Sequence, residues 1–103
     1  MTRARFILAL LALLAAGGAA AQSAPVVMYA TSWCPYCAKA RAYFARTGTA
    51  YTEYDIEKSA AAKAEFKRLG GRGVPLILVG KEKMSGFNEL AFESLLACAE
   101  RAK

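Results

Sequence analysis

The sequence contains no histidine and only three cysteines among its 103 residues. Without histidine there is no Cys–His nucleophile pair, no histidine-ligated metal site and no c-type haem attachment motif. A structural zinc site takes four nitrogen or sulfur ligands, more than the three cysteines of one chain supply. No metal site is therefore expected, and the cysteines themselves are left as the candidate chemical groups.

Long apolar stretches are also scarce, and the one at the N terminus has the pattern of a secretory signal. Two arginines precede an unbroken apolar run from Phe6 to Ala16, and small residues follow as far as Ala21. This order of charged, apolar and small segments is typical of a signal peptide. We therefore predict a signal peptide at residues 1–21, a mature domain at residues 22–103, and export, most simply to a bacterial periplasm.

The alternative interpretation of the same run is a membrane anchor, because no charged residue occurs between Arg5 and Lys39. A spanning helix needs about 20 predominantly apolar residues, whereas Gly17 and Gly18 interrupt this run earlier. The signal peptide is the preferred interpretation. We expect no stable membrane association after processing.

Clusters of basic residues are absent as well. The net charge is +6, yet the lysines and arginines alternate with acids, as at residues 65–68 and 81–83. Such mixing is typical of solvated helix and turn faces and argues against a nucleic-acid partner. The length allows one small domain with a marginal core, and we expect it to be a monomer.

Apolar periodicity and turn residues predict an alternation of strands and helices. In chain order the sequence predicts a strand at 26–30, a helix from Pro35 to about Arg46, a strand at 51–56, a helix at 59–69, strands at 75–79 and 83–85, and a last helix capped by Asn88. The first strand–helix–strand unit should be parallel and the last two strands should form a hairpin. The predicted fold class is therefore α/β, with a four-stranded mixed sheet flanked by three helices.

Two cysteines lie where the first strand gives way to the first helix, in the segment Trp33-Cys34-Pro35-Tyr36-Cys37. Thiol–disulfide exchange needs a thiolate, whereas a free cysteine, with a pKa of about 8.5, is mostly protonated at neutral pH. The N–H groups and dipole at a helix start stabilise such an anion at Cys34. Cys37, one turn further, should be less exposed and close enough to form a disulfide with it. We predict Cys34 as the nucleophile and Cys37 as the resolving thiol.

The cysteines and the two neighbouring aromatic residues also allow purely structural interpretations. A purely structural disulfide between Cys34 and Cys37 would close a very short loop and add little stability. Cys98, in the last helix, is predicted to be a small buried apolar residue, with a regulatory thiol as the alternative. Trp33 and Tyr36 either pack against the fold or offer aromatic surface to a peptide-like substrate.

Three segments, in the same order along the chain, resemble the glutaredoxin family. The segments are Cys34-Pro35-Tyr36-Cys37, similar to the dithiol active site, Arg72-Gly73-Val74-Pro75, similar to Arg-Thr-Val-Pro, and Ser85-Gly86-Phe87-Asn88-Glu89, similar to Gly-Gly-x-Asp-Asp. The resemblance spans about Pro25 to Cys98. It implies a thioredoxin-like fold and a dithiol oxidoreductase that uses glutathione as a co-substrate and has no bound cofactor.

The resemblance also implies roles for residues around the thiols. Pro75 would be cis and face the active site, and the Val74 backbone would hold the cysteine of glutathione. Arg72 would meet the glycine carboxylate of glutathione, and Asn88 with Glu89 its γ-glutamyl end. The complete set of expected substrate-binding residues is Trp33, Tyr36, Arg72, Val74, Pro75, Gly86, Asn88 and Glu89.

Three positions differ from the family pattern. Thr31 stands where many members carry a lysine, Gly73 replaces a threonine and Asn88 replaces an aspartate. The Ser-Gly-Phe turn is also similar to that of glutaredoxin-like proteins that take electrons from a thioredoxin reductase. We expect protein disulfides or glutathione mixed disulfides as substrates, with a thiol reductant system as partner.

A second function is compatible with the resemblance. Some glutaredoxins carry an iron–sulfur cluster that two chains bridge through the nucleophilic cysteine, here Cys34, and two glutathione molecules. Pro35 argues against this alternative, because cluster-binding relatives usually have a small residue there.

Overall fold

The computed structural model describes residues 24–102. In that part of the chain the strands are β1 (Val26–Ala30), β2 (Thr52–Asp55), β3 (Leu76–Val79) and β4 (Glu82–Ser85). The helices are α1 (Pro35–Thr47), α2 (Ala60–Arg68) and α3 (Glu89–Arg101). The predicted element order is therefore confirmed, with boundaries that differ by at most one residue. The predicted signal peptide lies outside the described residues.

The strands form one mixed sheet in the order β2-β1-β3-β4. β1 pairs in parallel with β2, with Val27 opposite Thr52, and antiparallel with β3, with Met28 opposite Ile77. β3 and β4 form the expected antiparallel hairpin, with Ile77 opposite Met84. The prediction of a four-stranded mixed sheet with a parallel first pair is confirmed.

β1 divides the core between the two faces of the sheet, because successive side chains of a strand point to opposite faces. Val26 and Met28 belong to the larger apolar cluster, which also contains buried residues of α1 and α3. Tyr29 belongs to a smaller cluster with Ala62 and Phe66 of α2. Two helices therefore cover one face and one helix covers the other.

Packing on the larger face fixes the position of α1. Cys37, Ala40 and Phe44 lie on one side of this helix and are all buried, as their spacing predicted. The ring of Phe44 lies 5.2 Å from that of Phe92 on α3, measured between centroids. Burying one such side chain stabilises the fold by about 1.5–3 kcal/mol. The start of α1 is thereby held against the end of β1.

Both ends of α1 are set by local chemistry. Cys34 is the N-cap and Pro35 occupies the first turn, where the N–H that proline lacks would have no helical partner. Gly48 ends the helix with a φ of +68°, and its N–H donates to the carbonyl of Phe44. A left-handed residue of this kind is a common helix terminator.

The last helix requires one correction to the sequence interpretation. Its apolar stripe is confirmed, because Phe92 and Ala99 are buried. Cys98, however, is exposed, so the prediction that it is a buried apolar residue is wrong. Adjacent residues of a helix are about 100° apart, and Cys98 is rotated by that angle from the buried Ala99. Its sulfur faces the guanidinium of Arg101 at 3.7 Å.

Between residues 24 and 102, no helix is both long enough and apolar enough to cross a membrane. The N-terminal run for which an anchor was the alternative lies outside that range.

Candidate active site

The sulfur of Cys34 lies at the N terminus of α1. It accepts a hydrogen bond from the backbone N–H of Cys37, with 3.1 Å between nitrogen and sulfur. The carbonyl of Cys34 accepts the next bond, from the N–H of Ala38, at 3.1 Å. The predicted placement of this cysteine at the helix start is confirmed. Unpaired N–H groups and the helix dipole favour a negative charge at that position.

A second segment of the chain reaches the same sulfur. The Cys34 thiol donates to the carbonyl oxygen of Val74, with sulfur and oxygen 3.6 Å apart. The Val74–Pro75 peptide bond is cis, as the resemblance implied, and Pro75 is buried. The N–H of Gly86 in turn donates to the carbonyl of Pro75 at 2.8 Å. One distant segment therefore contacts Cys34 directly, and a third segment, at Gly86, supports it through Pro75.

Cys37 lies deeper than Cys34. Cys37 exposes 0% of its surface and Cys34 exposes 3%, so the predicted order holds by a small margin. Burial raises the pKa of Cys37 to about 12, and its hydrogen bond with Cys34 acts in the same direction. A backbone hydrogen bond from Thr31 and the charge of Arg41 lower that pKa. Cys37 is accordingly a neutral thiol near neutral pH.

The cysteines are in the thiol form. Cys34, Cys37 and Cys98 are all free. No three side chains of histidine, cysteine, aspartate or glutamate within residues 24–102 are grouped as metal ligands. The site described so far is therefore a dithiol.

Two large aromatic side chains lie exposed on either side of the nucleophile. Trp33 exposes 66% of its surface and Tyr36 exposes 55%. The indole N–H of Trp33 donates to both carboxylate oxygens of Glu57, at 3.0 and 3.1 Å. The ammonium of Lys39 lies 5.0 Å from the centroid of the Tyr36 ring. Neither ring is part of the core, so both present apolar surface to a partner next to Cys34.

A groove joins Tyr36 to the start of α3. Its volume is about 370 Å³, and its lining residues are Tyr36, Lys39, Ala42, Arg46, Phe87, Asn88 and Glu89. The side-chain oxygen of Asn88 accepts a hydrogen bond from the N–H of Ala91 at 3.0 Å. The prediction that Asn88 caps the last helix is therefore confirmed. Glu89 forms an ion pair with Arg46 at 3.0 Å. The structure thus brings Tyr36, Asn88 and Glu89 to one surface.

Arg72 lies apart from that groove. It is exposed and precedes Val74 by two residues, and it has no hydrogen bond or ion pair with any other residue between 24 and 102. Its guanidinium is therefore exposed and makes no ion pair within the described residues.

The contacts that Arg41 makes were not predicted from the sequence. Its guanidinium forms an ion pair with Glu53 at 2.6 Å and donates to the carbonyl of Thr31 at 3.0 Å. The partners lie ten and twelve positions away along the chain, so a local sequence pattern does not predict these contacts. The one readable signal is that Arg41 follows Cys37 by four residues, which places both side chains on one side of the helix.

A dithiol at the start of a helix, beside a cis-proline and on a mixed sheet of this order, defines a thiol oxidoreductase with a thioredoxin-like fold. Comparison with known proteins makes the assignment narrower. Residues 26–84 match the model of the glutaredoxin family. The chain belongs to the glutaredoxin family.

Individual relatives agree with this result. A glutaredoxin of Pseudomonas aeruginosa is 36% identical over 67 residues, which cover 64% of this chain and 80% of the relative. A solved glutaredoxin of Archaeoglobus fulgidus superposes with a TM-score of 0.62 and 26% identity, covering 72% of this chain and 87% of its own. A buckwheat glutaredoxin–glutathione complex matches in fold alone, with a TM-score of 0.59, 20% identity and coverage of 79% and 80%. This chain is a glutaredoxin-like thiol oxidoreductase.

Proposed function

We propose that the protein reduces or exchanges protein disulfides or glutathione mixed disulfides through Cys34, with Cys37 as the resolving thiol. The observation that carries the proposal is the hydrogen bond from the Cys37 N–H to the Cys34 sulfur, 3.1 Å long, at the start of α1. This geometry gives the first sulfur an N–H donor at a helix start, a setting in which reactive cysteines are found, and keeps the second one turn away.

The first step is capture of the substrate. The thiolate of Cys34 attacks one sulfur of the substrate disulfide, and a new bond forms between Cys34 and that sulfur. The substrate disulfide breaks, and its other sulfur leaves as a thiolate that takes a proton from water. The product is a mixed disulfide on Cys34.

The second step is release. Cys37 loses its proton and attacks the Cys34 sulfur, which forms the Cys34–Cys37 disulfide and frees the second substrate sulfur as a thiol. Two electrons have then moved from the protein to the substrate. A thiol reductant, either glutathione or a separate reductase system, returns two electrons and restores the dithiol.

Glutathione recognition is supported by the surface on both sides of Cys34. The carbonyl of Val74 lies 3.6 Å from the Cys34 sulfur, and this proximity supports pairing of the Val74 backbone with the cysteine of glutathione. Arg72 is free to meet the glycine carboxylate, and Asn88 with Glu89 lines the groove proposed for the γ-glutamyl end. The buckwheat neighbour was solved with glutathione, which supports the same ligand here.

Protein substrates are supported by the exposed rings. Trp33 and Tyr36 offer aromatic surface next to Cys34, and such rings are favoured where a polypeptide docks. We also propose that residues 1–21 direct export, in bacteria to the periplasm. An exported glutaredoxin meets less glutathione than a cytosolic one, so protein disulfides and a dedicated thiol reductant are the working partners that we favour.

Single cysteine variants test the proposal. Cys34→Ser should abolish reduction of both insulin disulfides and a small glutathione mixed disulfide. Cys37→Ser should retain the glutathione reaction and lose most insulin reduction, because that substrate needs release by the second thiol. Cys98→Ser is the matched control, since this cysteine is exposed on α3 and makes no contact with the site residues, and it should behave as wild type.

Full activity of Cys34→Ser would contradict the proposal. The iron–sulfur alternative is checked on the same preparations, handled without oxygen. Colourless protein in which Cys34 and Cys37 both titrate as free thiols excludes the cluster carrier.

A further inference from the structure

Arg41 connects the resolving cysteine to the end of β1. Its Nε lies 3.0 Å from each carboxylate oxygen of Glu53, and its Nη2 donates to Glu53 at 2.6 Å and to the Thr31 carbonyl at 3.0 Å. The side chains of Arg41 and Glu53 are only 30% and 27% exposed. A planar guanidinium fork is suited to hold a carboxylate and a carbonyl together. Arg41 is therefore a fixed, partly buried cation.

Thr31 carries this connection to the active site. It follows β1 directly and is buried, and its backbone is one of the groups that lower the pKa of Cys37 against the larger effect of burial. Its hydroxyl oxygen is buried and has no hydrogen-bond partner within residues 24–102. The side chain of Thr31 thus makes no hydrogen bond within residues 24–102, whereas its carbonyl is bound by Arg41.

Charge adds a second route from Arg41 to Cys37. Arg41 follows Cys37 by four residues on α1, so the two side chains are neighbours on the helix. The positive charge favours the anionic form of Cys37, and a partly buried charge is only weakly screened by salt. The groups that act on the Cys37 sulfur are Cys34 at the helix start, the Thr31 backbone from β1 and Arg41 from the next turn, with Glu53 on β2 behind Arg41.

We propose that Arg41 is a positioning residue for the release step: by holding Glu53 and the Thr31 carbonyl together, it fixes the end of β1 beside Cys37, which lies one turn earlier on α1. This inference rests on the proposed function. It assigns Arg41 no role in capture, which depends on Cys34 and the start of the helix.

The step that Arg41 assists is balanced in atoms and electrons. Cys37 gives its proton to water, and its thiolate forms a bond to the Cys34 sulfur. The bond between Cys34 and the substrate sulfur breaks, and that sulfur leaves with the electron pair and takes a proton from water. Cys37 and Cys34 end oxidised, and the substrate sulfur ends reduced.

The experiment separates the two steps by rapid quenching and intact-mass analysis of the full mature protein after mixing with glutathione disulfide. Capture is measured as growth of the glutathione adduct in a Cys37→Ser background. Release is measured as its decay to the Cys34–Cys37 disulfide when Cys37 is present. The variants are Arg41→Met and Arg41→Lys. Arg68→Met is the matched control, because Arg68 is also ion-paired, with Glu65, on the opposite face of the sheet.

Arg41→Met should slow release about tenfold, because misplacing a reacting group costs up to about 10²-fold in rate, and it should shift the pH profile of release upward, because a charge that favours the Cys37 thiolate is lost. Capture should be unchanged. Arg41→Lys keeps the charge but lacks the fork that holds Glu53 and Thr31 together, so it should recover only part of the rate, whereas Arg68→Met should match wild type at every pH.

The proposal is overturned if Arg41→Met releases product as fast as wild type, if it slows capture to the same extent, or if Arg41→Lys restores the full wild-type rate. Failure of the proposed function is distinguishable from these results. It would appear as wild-type protein that forms no adduct on Cys34, and that outcome overturns both claims.

Discussion

The two sides of the Cys34–Cys37 motif are built differently. On the inner side, Cys37 and Phe44 are buried against the sheet, and Arg41 is held by both Glu53 and Thr31. On the outer side, Trp33 and Arg72 are exposed. The chemistry of the thiols is therefore set by packed and hydrogen-bonded groups, whereas recognition is left to surface groups.

This difference implies that changes on the two sides have separable effects. Substitutions on the inner side should alter stability or thiol chemistry for every substrate. Substitutions on the outer side should alter the apparent affinity for one substrate and leave the fold intact. The predictions below test this separation.

The largest effect is expected from Phe44→Ala. The ring of Phe44 lies 4.6 Å from that of Tyr51 and 5.2 Å from that of Phe92, and its removal should lower the free energy of unfolding by about 3–5 kcal/mol. Urea unfolding of the reduced protein, followed by circular dichroism, measures it. Tyr36→Ala, which removes an exposed ring, should cost less than about 0.5 kcal/mol. Equal losses in the two variants would remove the distinction between the sides.

A second prediction concerns the pH dependence of Cys37. Its pKa is raised from 9.0 to about 12, chiefly by burial, so the folded state favours the neutral thiol. The contribution of the neutral Cys37 thiol to the stability of the folded state is therefore complete below pH 9, and it is lost as the pH rises toward 12. Alkylation of Cys37 by iodoacetamide, followed by mass spectrometry of the native dithiol protein, should remain negligible below about pH 10.

Cys98 is the internal reference for that experiment, because it is exposed in the same molecule. Alkylation of Cys37 at pH 8 as fast as that of Cys98 would contradict the buried, neutral state. Labelling of unfolded protein at pH 9 shows that the reagent reaches every cysteine once burial is lost.

The smallest effect is expected on the outer side, at Arg72. Arg72→Gln removes an exposed charge proposed to meet a carboxylate of glutathione, and an exposed pair of this kind contributes up to about 1 kcal/mol. The KM for a glutathione mixed disulfide should rise by about threefold to fivefold, with kcat and stability unchanged. Lys63→Gln, an exposed charge on α2, is the control, and an equal change in both variants would exclude a specific role.

Local features of the fold were accessible from the sequence. Pro35 and Gly48 mark the two ends of α1, and the spacing of Cys37, Ala40 and Phe44 identifies its buried face. These signals act over a few residues, within one helix or turn, which is why they are readable without a structure. The position of Cys34 at a helix start follows from the same local rules.

Contacts between distant segments were not accessible in the same way. The bonds from Trp33 to Glu57 and from Arg41 to Thr31 depend on how β2 and α1 pack beside the end of β1. Cys98 was misplaced for a related reason: the stripe on α3 was identified correctly, but a residue adjacent to a stripe member lies about 100° away from it on a helix. The cis bond before Pro75 came only from the family resemblance.

The most direct test of the central claim is a redox titration of the mature protein in glutathione buffers, with the disulfides mapped by digestion and mass spectrometry at each potential. The account predicts one two-electron transition, formation of a disulfide between Cys34 and Cys37 with Cys98 left free, and a midpoint between about −200 and −230 mV, the range of glutaredoxins. The account is contradicted if Cys34 pairs with Cys98, or if Cys34 and Cys37 remain separate thiols across the whole range of potentials.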